Sequence, residues 1–91
     1  MEHIYFDNAA TTPMDPKVIT KMTDEMTNDF GNASSMHSFG RSAREVVDAS
    51  RRIIANSINA KENEIIFTSG GTESNNTAIF GTAKVKSGKH I

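Results

Sequence analysis

The apolar run Ile65-Ile66-Phe67 stops at two adjacent glycines, Gly70 and Gly71, and the chain restarts at once as the polar stretch Thr72-Glu73-Ser74-Asn75-Asn76. Two glycines in series cost backbone entropy. That cost is accepted where the backbone must turn sharply or let a ligand come close. An apolar run without alternation predicts a strand covered on both faces, as in a parallel sheet, here over Glu64 to Thr68. The turn feeds a helix predicted from Thr72 to about Val85, with Ala78, Ile79, Phe80 and Ala83 as its apolar positions and Gly88 as its stop. Lys89-His90-Ile91 reads as the opening of a further strand. Strand, turn and helix make half of a βαβ unit, and a parallel strand needs neighbours. The expectation is an α/β fold of which these 91 residues are the front part.

Upstream, Ile4-Tyr5-Phe6 is too short to define a strand, and Asp7 to Pro13 reads as an ordered loop, with Pro13 biasing Thr12 away from helix. Asp15-Pro16 is an N-cap followed by proline at the first helical position. Val18, Ile19, Met22 and Met26 continue at helical spacing to about Asn28, the methionines as core fillers. Phe30 to Gly40 is a loop of polar donors around two phenylalanines. Ala43, Val46, Val47, Ser50, Ile54 and Ile58 then form the stripe of the longest helix, about residues 39–58. Its charges, Arg41, Arg44, Glu45, Asp48, Arg51 and Arg52, read as a solvated face with i,i+4 pairs. Three regions follow: an arm and loop over 1–15, a helical region over 16–62, and the strand, glycine turn and helix over 63–91.

Composition narrows the function classes. Ten Lys and Arg against 11 Asp and Glu, with no block of like charge, do not favour nucleic acid or a membrane surface. The absence of cysteine excludes a disulfide scaffold and a thiolate metal site. The N-terminus lacks the pattern of a signal peptide, and no apolar run approaches the ~20 residues needed to span a bilayer. A cytoplasmic location is the expectation, and the sequons at Asn32 and Asn75 are taken as chance. At 36% hydrophobic residues and no Trp, the chain is lean for a self-sufficient core.

A helix entered through a tight glycine turn is an anion site in outline. Its first N–H groups have no intrahelical partner, and the macrodipole is positive at that end. Gly70 and Gly71 carry no side chains to hold a phosphate off, and Thr72 adds a hydroxyl. Glu73 complements the dipole and can point away from a ligand. The turn alone leaves several readings open. A nucleotide P-loop would end in Gly-Lys-Ser/Thr, but Gly88-Lys89 is followed by His90, and the G-x-G-x-x-G dinucleotide pattern is absent. A single-phosphate cofactor such as pyridoxal 5'-phosphate (PLP) needs only one cradle. The bland alternative is a strand-to-helix turn that holds nothing. His3, His37 and His90 lack metal-ligand spacing, and no nucleophile elbow or acid/base pair stands out. No residue of the chain is assigned a catalytic or metal-binding role. His37 is either a pocket residue or an ordinary surface histidine.

Three segments taken together, YFDNAATTPMDP (Tyr5 to Pro16), FGNASSMHSFGR (Phe30 to Arg41) and EIIFTSGGTESNN (Glu64 to Asn76), resemble in order and spacing the cysteine desulfurases of the class V aminotransferase family, the group serving iron–sulfur cluster assembly and tRNA thiolation. The resemblance covers the whole chain and about the first quarter of a family member. It implies a fold-type-I PLP architecture: a large domain with a mostly parallel sheet, a smaller domain, and a homodimer. It places Gly71 and Thr72, with Gly70 beside them, on the PLP phosphate, so that 63–91 begins the cofactor-binding domain. Asn8, Ala9 and Ala10 fall at the active-site mouth on the substrate side, and the His37 loop on the dimer side. Ala33 stands where the family frequently has proline, which softens that loop.

The resemblance further implies an enzyme that converts L-cysteine to L-alanine and passes sulfur, as a persulfide, to an acceptor protein. The family's cofactor lysine, sulfur-accepting cysteine, ring-stacking histidine and pyridine-nitrogen aspartate all fall outside these residues. A selenocysteine lyase or aminotransferase of the same family is a close variant. A different reading makes the segment an inert structural or assembly piece that needs the rest of the protein or a partner chain.

Overall fold

The computed structural model describes residues 1–86, 88 and 89. Three helices and one short turn of 3-10 helix follow in order: α1 Pro16–Asn28, α2 Ser38–Ser57, the 3-10 turn Glu62–Glu64, and α3 Gly71–Val85. The chain divides into two compact units, Met1–Ser50 and Arg51–Ile91.

In the first unit the arm is tied by Tyr5, whose hydroxyl donates to the carbonyls of Asp7 (2.8 Å) and Thr11 (3.1 Å). Helix α1 starts where the sequence places it. The Asp15 carboxylate accepts from Lys17 N at 2.8 Å, and Pro16 at the first position gives up no bond. Lys21 and Glu25 pair at 2.6 Å one turn apart, which raises the Lys21 pKa, chiefly through their hydrogen bond. The expected core face of α1 is not covered: Met22 is 46% and Met26 66% exposed. Helical spacing marks a face that can be buried, and no element of this unit lies over it.

The loop between α1 and α2 is packed by backbone contact. Ser34 N donates to Asn32 Oδ1 and Ser35 N to Asn32 O, both at 2.9 Å. The Phe30 and Phe39 rings stack with centroids 6.0 Å apart. A Cβ on Gly31 would stand 2.3 Å from Phe39 O, and one on the buried Gly40 2.2 Å from Ser35 O. The arginines here are exposed, as the charge pattern suggests, and they also bond the loop. Arg44 donates through Nε (2.9 Å) and Nη2 (2.7 Å) to Ala33 O, and Arg41 Nη1 to Met36 O at 3.0 Å. The loop is therefore pinned at the residue expected to soften it. No ion pair involves Glu45 or Asp48 among the described residues.

In the second unit the end of α2 buries Ala55, at 1% exposure the only buried apolar residue among those described. The helix closes with Ala60 N donating back to Ala55 O at 2.8 Å and Asn59 at φ 55. This is a Schellman closure with asparagine in the left-handed position. The next turn is held by Lys61 N to Glu64 Oε2 at 2.7 Å and by the Arg52–Glu62 pair at 2.9 Å.

The expected strand over Glu64 to Thr68 is corrected. Glu64 belongs to the 3-10 turn, and from Ile65 (φ −100, ψ 125) to Thr68 the chain forms no ladder. Among the described residues there is no strand, so the parallel sheet of the expected α/β fold is not formed within them. The physical reason is that an apolar extended run becomes a strand only when a neighbour takes its N–H and C=O groups. Helix α3 starts one residue before the expected Thr72 and ends at Val85 as expected, with Lys86 (φ −93, ψ 137) as its C-cap. Gly88 is therefore not its stop. His90 and Ile91 of the expected final strand lie outside the described residues.

Candidate functional site

The glycine turn of the second unit is built by short-range bonds. Gly70 is the N-cap of α3, and its carbonyl accepts from Ser74 N (3.1 Å), Ser74 Oγ (3.1 Å) and Thr68 Oγ1 (3.2 Å). Thr68 Oγ1 and Ser74 Oγ also stand 2.6 Å apart, so when one hydroxyl donates to the other, only the second donates to Gly70 O. The last extended residue is thus bolted to the first turn of the helix. Ser69 N donates to Glu73 Oε2 at 2.9 Å, and Ser69 Oγ donates to the same oxygen. Those two bonds, the hydroxyl's first and then the amide's, hold the Glu73 carboxyl below the ordinary glutamate range.

Glu73 accordingly stays charged and folds back over Ser69. It occupies one amide and leaves the next four. Among the described residues, no acceptor takes the N–H of Gly70, Gly71, Thr72 or Glu73. The last three are the orphan donors of a helix N-terminus. A Cβ built on Gly70 or Gly71 would meet nothing within 4 Å. Neither glycine lies in the left-handed region, and Gly70 is extended at φ 168. Nothing in the chain's own geometry demands glycine at either position, in contrast to Gly31 and Gly40. Beside the turn, Ile66, Thr68, Ala78, Gly81 and Val85 line an open trough of about 440 Å³.

The other expected site residues belong to the first unit. Asn8, Ala9 and Ala10 form an exposed turn closed by Ala10 N to Asp7 O at 3.0 Å. His37 has a local task that its loop context did not reveal: its Nδ1 accepts from Gly40 N at 3.3 Å, the bond of an N-cap residue to the third residue of α2. The sequence reading also missed Arg51, which lies in the second unit. Its Nη1 donates to Ile65 O, and its guanidinium carbon stands 4.8 Å from the Phe67 ring centroid. Among the described residues no group of His, Asp or Glu is placed to hold a metal, and no helix is long and apolar enough to cross a membrane.

The turn presents four amides without acceptors among the described residues and no side chain above its glycines, and comparison with known proteins gives the chain a family. The chain belongs to the class-V aminotransferases, whose family matches residues 4–91. Over 93 aligned residues it is 55% identical to the "Putative cysteine desulfurase IscS 1" of Bacillus subtilis strain 168, covering all of this chain and 24% of that protein. It is 58% identical to the "Cysteine desulfurase IscS" of Colwellia psychrerythraea and 57% to that of Shewanella amazonensis, each time over 97% of this chain and 23% of the relative. The chain spans about a quarter of the length of the curated relatives it matches. The class-V family is in general PLP-dependent and of fold type I.

The cradle fits the phosphate of that cofactor. A phosphate dianion needs several unpaired donors and room to approach them, and residues 70–73 offer both.

Proposed function

We propose that these 91 residues form the N-terminal part of a cytoplasmic, PLP-dependent cysteine desulfurase. The complete protein would convert L-cysteine to L-alanine and hand the sulfur, as a persulfide on its own cysteine, to an acceptor protein in iron–sulfur or thio-cofactor synthesis. Identity of 55–58% across the chain with proteins named cysteine desulfurase supports the activity. The observation that carries this segment's share of it is the row of unpaired amides at the start of α3.

In this reading Gly70, Gly71 and Thr72 hold the cofactor phosphate, the glycines by amides that no Cβ shields and Thr72 by amide and hydroxyl. The positive end of α3 adds to the attraction. Glu73 keeps its charge on Ser69 and so leaves the neighbouring donors to the phosphate. PLP, once bound, supplies the electron sink for the bonds of the amino acid. Asn8, Ala9 and Ala10 edge the substrate side, and the His37 loop faces the other protomer of a homodimer. No residue of this segment takes part in bond making, and nucleic acid and membrane are not partners of it.

The test uses the full-length protein that contains these residues. Incubated with PLP and L-cysteine, it develops the absorbance of bound cofactor and releases alanine. If neither is seen, the proposal is wrong.

A second reading concerns the segment by itself. Among the described residues Ala55 is the one buried apolar residue, while Ile66, Phe67, Ile79 and Phe80 are exposed. The isolated segment is then an inert piece that needs further chain or a partner to stay folded. Sedimentation of the segment decides this, because a compact, stable monomer would remove the need for a partner.

A further inference from the structure

Arg51 and Arg52, neighbours in α2, both reach the connector that leads to the glycine turn. Arg52 Nε pairs with Glu62 Oε1 at 2.9 Å. Arg51, half-buried, makes two contacts with one flat group: Nη1 donates to Ile65 O, and the guanidinium lies by the Phe67 ring at 4.8 Å. An arginine can give an in-plane hydrogen bond and present its face to a ring at once, whereas the compact ammonium of lysine cannot. The run it touches has no ladder bonds among the described residues, so this side chain does what a neighbouring strand would do. Downstream of Phe67, Thr68 is bonded to Gly70 O and Ser74, and Ser69 to Glu73. A fixed Ile65–Phe67 therefore fixes the line on which the chain enters the amides of Gly70 to Glu73.

We infer that Arg51 is a positioning residue for the phosphate cradle, acting through Ile65 O and the Phe67 ring and not by contact with the ligand. The inference rests on the proposed PLP reading of that cradle. Its effect enters through the phosphate alone. Loss of Arg51 therefore weakens PLP and leaves pyridoxal, which lacks the phosphate, unaffected.

The experiment compares wild type, Arg51→Met, Arg51→Lys and Phe67→Leu in the full-length apoprotein. PLP and pyridoxal are titrated separately, and the ³¹P resonance of bound PLP is recorded. Arg51→Met is expected to raise the PLP dissociation constant roughly tenfold, the scale of one lost charge-assisted hydrogen bond, with pyridoxal unchanged and the ³¹P signal displaced. Arg51→Lys keeps the charge without the planar fork and follows Arg51→Met. Phe67→Leu shifts the same way by less. Should Arg51→Met fail to fold, Arg51→Lys and Phe67→Leu carry the test. Equal weakening of both ligands would make the role merely structural and overturn the inference, as would a wild-type ratio of PLP to pyridoxal affinity in the variants. A wild type that does not prefer PLP to pyridoxal removes the cradle reading itself, an outcome distinct from the failure of Arg51 alone.

Discussion

Two pairs of glycines in this chain answer to different demands, and substituting one from each pair separates them. A methyl on Gly40 would lie 2.2 Å from Ser35 O, 2.7 Å from Ser35 C and 2.7 Å from Ser35 Cβ. Ordinary contact begins at 3.4 Å, so the loop must open by about 1.2 Å at a point where Ser35 N is already bonded to Asn32 O. Two of the three obstructing atoms are backbone, so no rotamer change relieves the clash. Overpacking of this kind costs about 1–3 kcal/mol, and the rigid neighbour argues for the upper half of that range. Gly71→Ala meets nothing within 4 Å at the first position of α3. There the smaller entropy of the unfolded chain stabilises the fold by about 0.4–1 kcal/mol. The same methyl stands where a phosphate would approach, and PLP affinity should fall roughly tenfold. Denaturant titration of the full-length apoprotein reads the first effect, and PLP titration reads the second. The expected pattern is crossed: Gly40→Ala loses stability and keeps its preference for PLP over pyridoxal, while Gly71→Ala does the reverse. A Gly40→Ala protein as stable as wild type would refute the packing argument. A Gly71→Ala protein with wild-type PLP affinity would refute the argument from the open face.

Three further outcomes are expected. His37→Ala removes the N-cap of α2 and costs about 1 kcal/mol, whereas His37→Asn, a strong capping residue, recovers most of it in the same denaturation assay; equal stability of both variants and wild type would show the cap to be idle. Glu73 has its folded-state pKa held below the ordinary 4.5 by Ser69, so its contribution is complete above that value and is lost as the pH falls through the folded pKa. Glu73→Gln should flatten the acid limb of the stability–pH profile, and an unaltered limb would contradict the Ser69 bonds. Arg44→Met frees the Ala33 carbonyl, so chymotrypsin should nick the exposed Phe30 about tenfold faster, while an unchanged cutting rate would deny Arg44 its hold on the loop.

What the sequence made legible was local. Asp15-Pro16 announced the start of α1 because the cap and the proline act within two residues of one another. The stripe from Ala43 to Ile58 located α2 to within a residue at each end, and Gly70-Gly71 located the start of α3. The free amides of the turn were legible for the same reason, since they are placed by the helix itself. His37 escaped notice as a cap because imidazole is not among the usual capping groups. The bonds of Arg41, Arg44 and Arg51 escaped notice because their acceptors are backbone carbonyls, which carry no signature in the sequence. A charge on a helix face looks the same whether it faces water or a loop.

The remaining misreadings share one cause: each concerned a property of two surfaces when only one is among the described residues. Ile65 to Phe67 has the residues of a buried parallel strand but no ladder, because ladder bonds belong to a pair of strands. Met22 and Met26 repeat at core spacing and remain exposed, because burial needs a facing element. Gly70 and Gly71 fit the same logic with a stronger consequence. A glycine explained by its own chain shows a left-handed φ or a crowded Cβ direction, as Gly31 and Gly40 show the latter. Gly70 and Gly71 show neither, yet both sit where four amides lack acceptors. Alanine would serve the backbone at Gly71 better, so the proposed phosphate site supplies a reason for the open face that the chain's own geometry does not. Under that proposal the absent side chains and the unpaired donors answer to one small anion, the phosphate of the family's cofactor.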